Sequence, residues 1–134
     1  MNLEQTIRQR WASHEPLTTL VPLARLWTGG APPSAELSFV VLDVTRIGSH
    51  LTTSSGRLIQ QAALRFSVYC SELDTAAQIV HEIERRFERA AFAIDEGSVL
   101  DMRRQQFEQR RGEDGVWTMT LDYLAITDHF SQGD

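Results

Sequence analysis

The side chains in this 134-residue chain with the greatest capacity for chemistry are four histidines, one cysteine and thirteen basic residues. His14, His50, His81 and His129 form no HxH, HExxH or Cys/His spacing of the kind that holds a metal. His81 and Glu84 stand three apart on one helical stretch, like half of an inward Glu/His metal pair. Such sites draw ligands from several helices, and this sequence carries one long helix, so His81 reads as structural or solvated. Cys70 closes an apolar alternation and reads as a small buried hydrophobe rather than a nucleophile. His50, Ser54 and Ser55 share a loop without a G-x-S-x-G turn or an orienting acid. Gly29, Gly30, Gly48 and Gly56 lack the strand–loop–helix order of a phosphate cradle. No catalytic residue, metal site or cofactor is expected.

The basic residues are all arginine. A GC-rich coding sequence gives that bias; so does selection for planar, bidentate contacts at interfaces. Arg103, Arg104, Arg110 and Arg111 concentrate in one segment, and Arg85, Arg86 and Arg89 in another. Asp101, Glu108, Glu113 and Asp114 interleave with the first group, and the net charge is −5. A nucleic-acid footprint needs basic excess and exposed stacking aromatics, so that class is disfavoured. Mixed charge of this kind is a solvated face or a subunit interface where both signs pair across chains.

Those side chains are positioned by a short series of elements. Asn2 to Ser13 reads as a helix with Asn2 as its cap and Leu3, Ile7, Arg10 and Trp11 on one stripe. Pro16 ends it at or before Glu15. Leu17 to Leu26 reads as a short helix or an irregular piece on the core, and Thr28 to Glu36 as a loop. Phe39 to Thr45 is the first strand, apolar on both sides near its start. Ile47 to Arg57 is a loop and hairpin tip, and Leu58 to Cys70 returns antiparallel. Leu64, Phe66, Val68 and Cys70 alternate with Arg65, Ser67 and Tyr69.

The register then changes to helical. Ala76, Ile79, Val80, Ile83, Phe87 and Ala90 share one face, with Gln78, Glu82, Glu84, Arg85, Glu88 and Arg89 on the others; Ser71 or Asp74 caps the helix. Val99 to Gln109 and Val116 to Asp128 form a closing hairpin around a turn from Arg110 to Gly115. Strands of that length extend roughly 33–43 Å, so part of the hairpin is expected to project beyond the body. Phe130 to Asp134 reads as a tail.

The expected fold is therefore α+β in one domain, residues 1–134. An antiparallel sheet of about four strands carries one long helix and a short N-terminal helix, in the order α-(α)-β-β-α-β-β. Residues 28–36 and 47–57 are loops and 129–134 a frayed tail. No apolar run approaches the roughly 20 residues of a membrane span. The first residues are polar rather than an export signal, and a lone cysteine fits synthesis in a reducing cytoplasm.

The layout resembles the tail-completion or tail-terminator proteins of long-tailed phages and gene transfer agents. The likeness runs from Leu3 to about Asp128 through LWTGGAPPSAELSFVVLDV, RFSVYCSE and DGVWTMTLDYLAI. In place of a proline before the first-strand aromatic stands Ser38, and Leu42 stands near the place of a tyrosine. The resemblance implies a non-enzymatic virion subunit that forms a ring, commonly six-fold, at the head-proximal end of the tail. Its partners would be its own copies, the tail tube protein and the head–tail connector. Under that reading Arg103, Arg104, Arg110 and Arg111 meet a neighbouring copy. His50 and Arg57, at the Gly48–Gly56 loop, belong to the interface too, with that loop turned toward lumen or connector. The alternative is a small α+β ligand-binding or regulatory module that acts as a homodimer.

Overall fold

The alternating stretch that ends at Cys70 becomes the middle of a six-stranded sheet. The computed structural model describes residues 2–52, 56–95 and 97–130, without the side chains of 47–52 and 130. Helix α1 is Leu3–Ala12, α2 Glu15–Leu20 and α3 Leu73–Phe87, with a single 3-10 turn at Leu23–Arg25. The strands are β1 Leu26–Thr28, β2 Phe39–Thr52, β3 Arg57–Cys70, β4 Phe92–Ile94, β5 Gly97–Arg111 and β6 Trp117–Phe130, in sheet order β1-β2-β3-β6-β5-β4. The four long strands are antiparallel throughout, and β1 joins β2 in parallel.

The expected class holds, but the strand count does not. The sheet gains β1 and β4, each three residues long and too short to show a period. The loop expected at 47–57 is largely strand, because the ladder continues through His50↔Gln60 to Thr52↔Leu58. A bulge between Ile47 and His50 absorbs Gly48, so the glycine marks an irregularity inside the strand rather than its end. Positions 53–55 lie outside the described residues, as do 131–134 of the tail. His129 and Phe130 belong to β6. Nor does the hairpin project: β6 pairs with β3 along its whole length, from Arg57↔Phe130 to Cys70↔Trp117.

The helices cover one face of the sheet. Leu64, Phe66 and Val68 of β3 and Met119, Leu121 and Tyr123 of β6 point into that layer and are buried. The stripe Ala76, Ile79, Val80, Ile83 and Phe87 of α3 closes on them. Each such residue contributes on the order of 1.5–3 kcal/mol by leaving water. Trp11 of α1 stacks on Phe66 and Phe87 at centroid distances of 6.1 and 6.5 Å, and Tyr123 meets Phe66 edge-on at 6.1 Å. The Trp11 indole donates to Val21 O at 2.9 Å, which ties α1 to the segment after α2.

One helix start carries a side-chain cap and two do not. Asn2 and Gln5 form a reciprocal capping box at 2.8 and 3.0 Å. Pro16 does more than stop α1, since it occupies the first turn of α2, where its missing N–H costs nothing. α3 starts between its two polar candidates: Glu72 is the cap, without a side-chain bond, so neither Ser71 nor Asp74 fills that role. Asp74 instead sits in the first turn, where its charge suits the helix dipole.

Candidate assembly surface

The opposite face of the sheet carries no helix. Alternation places Asp43 and Thr45 of β2, Arg65, Ser67 and Tyr69 of β3, and Thr118, Thr120 and Asp122 of β6 on this side. On β5, the residues Arg103, Gln106, Glu108 and Arg110 join them. Two shallow depressions of about 450 and 590 Å³ lie on this face, one bordered by Tyr69, Glu108 and Arg110, the other by Asp43, Gln105 and Asp122. Arg65 borders both. Its guanidinium binds Asp122 through two bonds, Nε to Oδ1 at 2.7 Å and Nη2 to Oδ2 at 3.1 Å. Arg65 and Asp122, at the centre of the face, therefore satisfy each other.

The arginines singled out by sequence fall into different settings. Arg103 donates from Nε to Asp101 Oδ2 at 2.9 Å, and Arg89 approaches the other carboxylate oxygen at 3.6 Å. The Arg103 hydrogen bond, helped by the nearby Arg89 charge, holds the Asp101 carboxyl below its ordinary range despite some desolvation. Arg104 crosses to the helix side and reaches Glu84 at 3.2 Å and Glu88 at 3.9 Å. Below them the Tyr123 hydroxyl is buried, and its pKa is pushed up by burial first and by Glu88 and Glu84 second. Arg111 lies 5.7 Å from the Trp117 ring. Arg110 is exposed and makes no ion pair among the described residues.

Arg57 sits at the other end of the sheet, where its Nε meets both Asp128 oxygens at 2.7 and 2.8 Å. It is thus separated from the hairpin turn by the length of β3, and the structure does not bring it to Arg110 or Arg111. The His50 side chain is outside the described residues. The turn itself is built by Gly112 and Gly115: Gly115 adopts φ 83°, and the Asp114 carboxylate accepts from the Val116 amide at 3.0 Å.

Other candidates resolve as fold elements. Cys70 is fully buried, its thiol raised by burial, and it donates to Ser38 Oγ at 3.0 Å. His81 faces a groove beside α2, whereas Glu84 turns to Arg104, so the two do not converge. Glu82, placed by the helical pattern on an outer face, is buried, because α2 packs over it. His14 at 3.3 Å and Arg85 at 3.1 Å pair it there.

The hairpin pattern in the sequence suggests exposed strand edges but does not say which edges of the sheet stay uncovered. β4 covers β5 only at Gly97–Val99, and the Arg89 amide donates to Met102 O at 2.7 Å; beyond that the outer edge of β5 is open to Arg111. β1 covers β2 only at Val40–Leu42, with Gly29 N–H donating to Leu42 O at 3.0 Å, so β2 is open from Asp43 onward. Phe107 is 42% exposed on the open β5 edge. A single aromatic inside RRQQFEQRR was the available signal. Among the described residues no helix is long and apolar enough to cross a membrane.

Comparison with known proteins agrees with this organisation. The family described as "Tail completion protein gp17" matches residues 5–128. Among solved structures, a chain of the "Virion of native gene transfer agent (GTA) particle" is similar in fold, with a TM-score of 0.78 and 16% identity over 94% of each chain. No curated protein matches the sequence.

Proposed function

The chain belongs to the tail completion protein family, a structural component of the virion tail, and from that premise we propose that it caps the tail tube and joins it to the head connector. Copies of the chain form a ring at the head-proximal end of the tail. The ring stops tube growth on one side and presents a docking face on the other. No reaction is catalysed in this role; the working parts are edges and loops on a rigid body.

The observation that carries this reading is the pair of long open edges, one on β2 and one on β5, on opposite sides of one molecule. A monomeric sheet protein ordinarily blunts such edges. Two different edges on opposite sides suit a head-to-tail contact, which closes into a ring when the rotation allows. The hairpin arginines lie on one of these edges, with Arg110 and Arg111 at its end.

The test is electron microscopy of tails assembled with and without the protein. Tails of fixed length joined to heads are expected in its presence, and overlong or headless tails in its absence. Normal, head-bearing tails without the protein would overturn the proposal.

A further inference from the structure

We infer that the open edge of β5 pairs antiparallel with the open edge of β2 in the next copy, in a staggered register that sets Arg110 against Asp43. This rests on the ring reading above and names the contact that would build it.

Strand direction comes first. Each long strand runs opposite to its neighbour in the order β2, β3, β6, β5, so β5 and β2 point in opposite directions. A following copy in the same orientation brings its β2 beside β5 antiparallel, and the alternation continues across the junction.

The two short strands then fix the register. Leu42, Phe66, Leu121 and Phe107 lie on one level across the sheet. With no stagger, β1 of the next copy, which covers Val40–Leu42, would occupy the place beside Phe107. An odd shift would turn side chains to the wrong face. A shift of about two residues leaves β1 beside Gln109. A shift of about four is the smallest even one that moves β1 to the end of β5, at Arg111. Closed sheets need such a stagger, and about four residues over four strands tilts them by roughly 35°, within the usual range for barrels.

That register makes chemical sense of side chains left over in the monomer. Asp43 of one copy comes opposite Arg110 of the other, both on the helix-free face. Among the described residues neither makes a close ion pair within its own chain: Asp43 stands opposite Arg65 and feels its charge, but the Arg65 guanidinium is bound to Asp122. Thr45 comes opposite Glu108. On the helix-bearing face Arg46 comes opposite the exposed Phe107, where a guanidinium can cover the ring. The bulge after Ile47 on β2 and the bulge after Arg104 on β5 then fall at the same level and end the pairing together.

The experiment uses the full-length chain with Thr45→Cys and Glu108→Cys combined, both at exposed positions. The native Cys70 is buried and does not compete. In purified particles, mild oxidation is expected to give a ladder of disulfide-linked oligomers, and neither single variant is expected to cross-link. A second arm reverses charge: Asp43→Arg or Arg110→Asp alone is expected to lower the yield of completed tails at least tenfold, and the two together to restore it. Particles that contain the folded double-cysteine variant but give no ladder would overturn the inference. So would dimers from Thr45→Cys alone, or a charge swap without rescue in folded protein. If the purified protein gives the ladder but the protein is not found in tails at all, the edge pairing stands and the tail-completion proposal is overturned instead.

Discussion

Arg65 and Asp122 face each other directly across β3 and β6 and share two hydrogen bonds, of 2.7 and 3.1 Å, at the centre of the helix-free face. The pair ties the two middle strands together on the side that lacks a helix. Its arginine is more than half exposed, so water and salt screen it. Arg65→Ala and Asp122→Asn should each destabilise by about 0.5–1 kcal/mol. A double-mutant cycle by urea denaturation checks this, and the coupling should shrink at high salt.

The centre of the opposite face is far more sensitive. Phe66 is fully buried and touches Trp11, Phe87 and Tyr123. Phe66→Ala removes the ring on which α1, α3 and β6 meet. It should cost about 3–5 kcal/mol, a large share of the stability of a domain this size. Thermal unfolding followed by circular dichroism measures the loss.

Arg104 and Arg110 should separate folding from assembly. Arg104 neutralises Glu84 and Glu88 on α3, so Arg104→Glu gathers three carboxylates above the Tyr123 hydroxyl. Arg110 has no such duty. Arg104→Glu should therefore lower monomer stability by about 1 kcal/mol, and Arg110→Glu should leave it within about 0.5 kcal/mol. Denaturation of the two purified variants decides the point, independently of any assembly assay.

Gly97 begins β5 where a Cβ would run into the Asp128 backbone carbonyl of β6. Backbone cannot rotate away as a side chain does. Gly97→Ala should open the start of the β5–β6 ladder and cost about 1–3 kcal/mol. Faster amide exchange in β4 and the first residues of β5, read by mass spectrometry, would accompany the loss.

Asp101 gives the fold a dependence on acid. Its carboxyl titrates below the ordinary value because of the Arg103 hydrogen bond and the Arg89 charge. The folded state then binds fewer protons than the unfolded state in this range. The contribution is complete above the ordinary carboxylate value of about 4 and disappears as the pH falls through the lowered one. The wild-type protein should be more stable than Asp101→Asn at pH 7, and the difference should close in strong acid. Denaturant midpoints at several pH values test the sign.

How much of this was legible in the chain depends on the range of the forces involved. Period two in residues 64–70 and the helical stripe from Ala76 to Phe87 reported β3 and α3, because one-sided burial imposes a repeat that survives in sequence. Asn2 with Gln5 likewise marked the start of α1. The Gly/Ser/Thr run after Ile47 misled, since its residue types carry no hydrophobic alternation although the backbone ladder continues, and its glycine sits at a bulge. β1 and β4 were too short to be seen.

The sequence by itself determined the class of the fold, the buried stripe, the status of Cys70 as a core residue and the likeness to tail-completion proteins. Each of those is written in residue type and spacing along the chain. Tertiary structure alone decided that the hairpin is woven into the sheet, that Glu82 is buried, that Arg104 serves the fold and that β2 and β5 keep open edges. These depend on what lies beside a residue in space, and partners such as Arg104 and Glu84, or β1 and the start of β2, come together only when the sheet closes over its helices.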